Sequence, residues 1–169
     1  MPKFSPSQAI SDVYLAIPER KVAVRVRPVI LADIPALIGL ARHAVTAAHW
    51  SRQQYHQVLA DPSRCALVIE EAGCVRGFLI ARQIATEWEI ENIAVAGPAR
   101  RRGLGTRLLG EFLVQVRAQG ALAVFLEVRE SNHAARTLYE KWAFLESGRR
   151  PAYYHEPEEA AILYRLAFA

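Results

Sequence analysis

The stretch from Ile93 to Phe144, IAVAGPARRRGLGTRLLGEFLVQVRAQGALAVFLEVRESNHAARTLYEKWAF, decides the fold. Its opening residues, with Asn92, complete a strand that Gly97-Pro98 ends. From Leu104 to Val116 the apolar residues Leu104, Leu108, Leu109, Phe112, Leu113 and Val116 recur at helical spacing, with Arg107, Glu111 and Gln115 on another side. Gly120 closes this helix. Leu122, Val124, Leu126 and Val128 then give one apolar face of a strand, and Ala123 and Phe125 the other, which predicts an interior strand covered on both sides. Glu127 interrupts it. Ser131 and Asn132 are cap residues for a helix running through Lys141. Strand, helix, strand, helix in this order predicts an α/β domain.

Working outward, polar and apolar residues alternate from Thr86 to Glu91, and Asn92-Ile93-Ala94-Val95 then breaks the phase, as one inserted bulge residue does. Two strands, about 65–71 and 75–84, precede it and are joined by the turn Glu71-Ala72-Gly73. Val22, Val24 and Val26 alternate with Ala23, Arg25 and Arg27 as a first strand. Asp33, followed by Pro35, opens a helix with Ile34, Leu37, Ile38 and Leu40 on one side, and Ser51 caps a second, short helix. Downstream, 144–147 and 160–167 read as two final strands around an aromatic loop. Residues 1–20, with Pro2, Pro6 and Pro18 and no clean period, read as an arm ahead of one domain over 21–169.

A chain of 169 residues, 52% hydrophobic and 22% charged, supports one core and excludes disorder or coiled coil as a description of the whole. No apolar run approaches the roughly 18 residues of a membrane span, and the first residues lack the pattern of an export signal, so a cytoplasmic protein is expected. In the hairpin, Cys65 lies several positions of about 3.3 Å each from Cys74, beyond disulfide reach, so two free thiols are expected. None of the five histidines has metal-ligand spacing, and no metal is expected.

The sharpest local signal is Arg100-Arg101-Arg102-Gly103-Leu104-Gly105-Thr106, between a strand and a helix. Glycines let backbone approach a ligand, the first helical N–H groups are unpaired, and the helix dipole adds positive potential, so such a turn can hold a diphosphate. The spacing fails two familiar phosphate motifs. A Walker loop needs G-x-x-x-x-G-K-S/T, and no lysine lies between Lys21 and Lys141; a dinucleotide fingerprint needs G-x-G-x-x-G, whereas Gly103, Gly105 and Gly110 give G-x-G-x-x-x-x-G. By itself the loop fits equally a tight turn with solvated arginines. With 21 basic and 17 acidic residues the net charge is +4, and Arg100, Arg101, Arg102 and Arg107 account for all of it. The excess charge is therefore read as local to this loop, and neither a membrane nor a nucleic-acid surface is expected.

The same segment resembles the core of the GNAT N-acetyltransferases, whose acetyl-CoA motif Q/R-x-x-G-x-G/A is met by Arg100, Gly103 and Gly105. More narrowly, L-E-V-R-x-S-N, then A-x-x-L-Y-x-x-x-x-F, then R-R-x-x-Y-Y, resemble the ribosomal-protein-alanine N-acetyltransferases, and the likeness extends over about residues 22–167. Two departures are Ala96-Gly97-Pro98, where Val-Asp-Pro is common, and Trp142-Ala143, where a small residue and Gly usually precede the Phe. The resemblance implies a GNAT fold, a mixed sheet of about seven strands flanked by about four helices. It implies acetyl-CoA as co-substrate, with the diphosphate cradled by Arg101 to Thr106 and the pantetheine amides paired to the backbone of Ile93, Ala94 and Val95. Asn132 would hydrogen-bond the same arm.

It also implies direct attack of an amine on a thioester, which needs a base and an acid. An α-amine of pKa near 7.8 is roughly one-seventh neutral at pH 7, and a lysine only about 0.04%. Glu127, isolated in an apolar strand, is the candidate base, with pairing to Arg129 as the structural alternative and Glu91 as the reserve base. Tyr139, seven positions after Asn132 on one helix side, is the candidate acid, with ordinary core packing as its alternative. Trp50, Glu91, Tyr153 and Tyr154, with Glu87 and Glu89, would shape the acceptor pocket. The acceptor implied is a protein N-terminus, a ribosomal protein leading. A lysine side chain or small amine, a non-catalytic acyl-CoA sensor and nucleic-acid binding through the arginines are the alternatives.

Overall fold

The computed structural model describes residues 23–44 and 47–169, so the arm read over 1–20 lies outside the described residues. Seven strands form one sheet in the order β1-β2-β3-β4-β5-β7-β6. They are β1 Val24–Pro28, β2 Arg64–Glu71, β3 Cys74–Ile84, β4 Glu87–Val95, β5 Ala123–Arg129, β6 Leu145–His155 and β7 Glu158–Ala167. Helices α1 Ile34–His43 and α2 Arg52–Ala60 precede β2, α3 Leu104–Ala118 links β4 to β5, and α4 His133–Lys141 follows β5. Every neighbouring pair is antiparallel except β4 and β5. That pair is parallel because α3 carries the chain back across one face.

The two faces hold separate cores. Leu108, Leu109 and Phe112 of α3 and Tyr139 of α4 pack with Ile69, Leu79 and Leu126 on one side. Ile34 and Leu37 of α1 and Tyr55 of α2 pack with Val68, Phe78 and Ile80 on the other.

The bulge expected near Glu91 is present. Ile80 pairs with Asn92 and Ala81 with Ile90, which leaves Glu91 as the extra residue. Ile90 consequently faces the first core and Ala94 the second. Ladder pairing of β4 with β5 runs from Glu87↔Ala123 to Ile90↔Leu126 and stops at the bulge. The two strands part there. Each stays paired on its far side, β4 to β3 through Val95↔Gly77 and β5 to β7 through Arg129↔Ala161.

The β2–β3 hairpin turns on Ala72 and Gly73, both at positive φ (51° and 78°), the geometry of a two-residue hairpin loop. Ser51 caps α2, accepting from Gln54 N at 3.2 Å while Gln54 Oε1 accepts from Ser51 N at 2.7 Å.

Three expectations are corrected. Asp33 makes no cap bond to α1; its carboxylate accepts from Ile30 N and pairs with Arg27 instead, so it closes the turn before the helix. Leu122 is 59% exposed, because β5 starts one residue later. The aromatic loop is strand: β6 extends to His155, with 151–153 leaving the ladder between Arg150↔Ala161 and Tyr154↔Glu159.

Candidate active site

Where β4 and β5 part, a cleft of ≈ 440 Å³ opens. Glu91, Asn92 and Ile93 line it from β4, Glu127 and Arg129 from β5, Asn132 and Tyr139 from α4, and Tyr153 and Tyr154 from β6. Residues far apart in sequence are thus gathered by one break in a parallel pair. Trp50 is not among them. It lines a separate cavity of ≈ 580 Å³ with Ile38, Arg42 and His49, and meets the Tyr55 ring edge-on at 5.6 Å.

Glu127 is not the isolated carboxylate that its strand pattern predicts. Its side chain is 22% exposed, its Oε1 lies 3.0 Å from Arg150 Nη1, and the Tyr153 hydroxyl donates to it. Both partners come from β6, Arg150 from the last ladder position before the excursion at 151–153 and Tyr153 from within it. Arg129, the partner anticipated from sequence, is engaged elsewhere. It pairs with Glu159 at 3.3 Å, donates to the carbonyls of Glu156 and Pro157, and lies 4.2 Å over the Tyr154 ring. Glu91 is held by Arg64 through two bonds of 2.9 and 3.0 Å. Glu89 meets Arg82 and Glu87 meets Arg165, so each acidic side chain of β4 carries an arginine.

Asn92 is a cleft residue that the sequence reading passed over. It is 4% exposed, its Nδ2 donates to the Ala48 carbonyl at 2.9 Å, and its Oδ1 has no partner among the described residues. The phase break was the signal, since it turns an amide toward the core where alternation would put an apolar side chain.

Tyr139 is 3% exposed and packs against Phe144 and Tyr164. Burial, reinforced by the neighbouring Tyr154, pushes its phenol far above the ordinary tyrosine range, so it keeps its proton at any physiological pH. The Asn132 side-chain oxygen caps α4, accepting from Ala135 N at 3.2 Å.

In the loop before α3, Arg101 and Gly103 both take positive φ (60° and 79°), and Arg100 Nε donates to the Val95 carbonyl at 3.0 Å, tying the loop to the end of β4. Gly105 sits against Val95 and Leu138, where an added Cβ would lie 3.6 Å from each side chain. Arg102 makes a two-bond ion pair with the buried carboxylate of Glu71, which in turn falls below the usual carboxylate range. The charge read from sequence at this loop is therefore reduced: Arg102 is balanced by Glu71, and Arg107 lies 4.0 Å from Glu111. Arg100 and Arg101 have no carboxylate partner among the described residues.

A parted parallel pair, a glycine turn at a helix start beside it, and a carboxylate and a phenol in the cleft form a recognisable constellation. Residues 36–144 match the model of the Acetyltransferase (GNAT) family. The chain belongs to the GNAT acetyltransferase family. This acetyltransferase is 30% identical over 143 residues to the putative [ribosomal protein bS18]-alanine N-acetyltransferase of Bacillus subtilis (strain 168), covering 85% of this chain and 95% of that one. It is 36% identical over 136 residues to the [ribosomal protein bS18]-alanine N-acetyltransferase of Escherichia coli (strain K12), covering 79% and 90%. Its fold is similar to the crystal structure of the ribosomal-protein-S18-alanine N-acetyltransferase from Escherichia coli, with a TM-score of 0.79 at 28% identity over 87% of this chain and 95% of that one. Among the described residues, the seven-stranded sheet and four α-helices of this acetyltransferase agree with the architecture that the resemblance implies.

Proposed function

We propose that this acetyltransferase moves the acetyl group of acetyl-CoA to the α-amine of a protein N-terminus in the cytoplasm, with a ribosomal protein beginning in alanine as the leading acceptor. The observation that carries this reading is the shared cleft of Glu127 and Tyr139 at the point where β4 and β5 separate. The relatives named for ribosomal-protein alanine support the acceptor class.

The residues present fit the co-substrate. Beyond Ile90 the β4 edge has no ladder partner on the β5 side, so the backbone of Ile93 and Ala94 can take amide groups of an extended arm. The Val95 carbonyl already accepts from Arg100, so at that position Arg100 holds the loop in place. Gly103 to Thr106, with Arg100 and Arg101, would hold the diphosphate. When bound, acetyl-CoA supplies an activated acyl group as a thioester. Glu127 takes the proton of the attacking amine, directly or through water, and Tyr139 holds the proton needed where the thiolate departs. Tyr153, bonded to Glu127, and Tyr154 border the acceptor end of the cleft.

The test offers acetyl-CoA with free-amine peptides, lysine peptides with blocked N-termini, and small amines, while CoA release is followed. Turnover is expected with the free-amine peptides. Turnover confined to blocked lysine peptides or small amines would replace the acceptor, and none with any amine would leave a non-catalytic acyl-CoA-binding protein.

A further inference from the structure

The ion pair on Glu127 differs from those that hold Glu91 and Arg129 in the same cleft. Arg64 holds Glu91 by two bonds at 21% side-chain exposure. Arg129 is fixed by a carboxylate, two carbonyls and an aromatic ring. Arg150 reaches Glu127 through Nη1, is 55% exposed, and among the described residues otherwise meets only the Tyr153 ring at 5.6 Å. It stands where β6 leaves the ladder, so its side chain can swing into solvent without opening the core.

We propose that Arg150 holds the place of the acceptor's ammonium group on Glu127, and that the acceptor amine enters by exchanging with this internal cation. The proposal rests on Glu127 being the group that meets the acceptor amine. About six-sevenths of an α-amine is protonated at pH 7, so the species that arrives is a cation. A partly buried carboxylate left without a cation is costly, and exchange of one cation for another keeps it paired at every stage. Tyr153 keeps its bond to the carboxylate and so preserves its orientation while Arg150 leaves. The exchange also gives direction to the reaction. An acetylated amine carries no charge and cannot hold Arg150 away, so the arginine returns and the neutral product is released. An acceptor without a cationic end, such as an alcohol, has nothing to exchange and is selected against.

The experiment measures equilibrium binding of a short peptide beginning with Ala, and of the same peptide N-acetylated, to the enzyme loaded with CoA. In Arg150→Gln the free-amine peptide is expected to bind about threefold to tenfold more tightly than in wild type, the gain from removing a partly exposed competing ion pair. The acetylated peptide should bind equally to both. The gain should vanish when Glu127→Gln is combined with Arg150→Gln. Equal changes for both peptides, or weaker binding of the free-amine peptide, would overturn the exchange and make Arg150 an ordinary binding or positioning residue. Wild-type turnover by Glu127→Gln alone would remove Glu127 as the base, while the binding comparison would still decide the exchange.

Discussion

Gly110 lies inside α3, where glycine costs about 1 kcal/mol relative to alanine, so Gly110→Ala would ordinarily stabilise the helix. Here the space is taken. A Cβ at this position would lie 2.6 Å from Trp142 Cζ2 and 2.7 Å from Cη2, against the roughly 3.5–4.0 Å at which carbons are in comfortable contact. The indole would have to retreat by about 1 Å, and overpacking of that kind costs about 1–3 kcal/mol. The clash outweighs the propensity gain, leaving a net loss of about 1 kcal/mol and a Tm lower by about 3 °C for a domain of this length. Thermal unfolding followed by circular dichroism measures it. The same substitution placed in a Trp142→Leu background should change sign and raise Tm by about 3 °C, because only the propensity term survives. A higher Tm for Gly110→Ala alone would refute the steric argument. The coupling also explains the departure at Trp142: the large ring is accommodated because the facing helix carries no side chain at 110, and the third glycine serves packing.

Three further outcomes follow from the structure. Tyr139→Phe keeps the ring packing on Phe144 and Tyr164, so the fold should persist while kcat falls about 100-fold, the scale of a lost general acid, with the KM for acetyl-CoA nearly unchanged; full turnover would leave Tyr139 a core residue. Arg27, through its hydrogen bonds, holds Asp33 below the ordinary aspartate range, so this pair's stabilisation is complete above pH ~3.9 and is lost as pH falls through the folded-state value. Acid unfolding of Asp33→Asn should accordingly begin from a lower plateau and show a shallower limb, and an unchanged acid limb would count against the pair. Burial pushes the Cys65 thiol up to about 11 whereas Cys74 is exposed, so a thiol reagent at neutral pH should modify Cys74 promptly and Cys65 only on unfolding, as mass spectrometry of the labelled peptides would report.

What could be read from the sequence was local. The alternation from Thr86 to Glu91 and its break at Asn92 are a period-two signal, and they located the bulge that ends the β4–β5 ladder. The Ser51 cap and the Ala72-Gly73 turn are set by three or four residues each, and both stand as expected. What failed depended on chain crossings. Asp33 has the residue type of a cap, but Arg27 on the adjoining strand competes for its carboxylate, and a charged bidentate pair outweighs one helix-end bond. Sequence proximity offers Arg129 as the partner of Glu127, whereas the actual one, Arg150, lies on β6, two places away in the sheet, beside a stretch that Pro151 and Ala152 make look like a loop. The pairing of Arg102 is invisible in the sequence for the same reason: Glu71, at the end of β2, is distant in sequence and adjacent in space.

A sheet that is opened between two central strands should lose stability, since each unpaired backbone group buried without a partner costs about 1–3 kcal/mol. The architecture limits that loss. β4 remains bonded to β3 as far as Val95, and β5 to β7 as far as Arg129, so neither strand can fray although both have lost each other. Glu91 to Ile93 and Glu127 to Arg129, beyond the end of the ladder, line one cleft, where water or a ligand with amide groups can satisfy their backbone. The bulge at Glu91 is what ends the pairing, and the same extra residue sends Asn92 to the Ala48 carbonyl, fixing the α1–α2 connection beside the opening. One inserted residue in β4 thus produces both the gap in the sheet and the anchoring of the segment that borders it, while the departure of β6 from its own ladder brings Arg150 and Tyr153 to the carboxylate on the opposite side of that gap. Two irregularities in otherwise regular strands open the cleft and bring the partners of Glu127 to it.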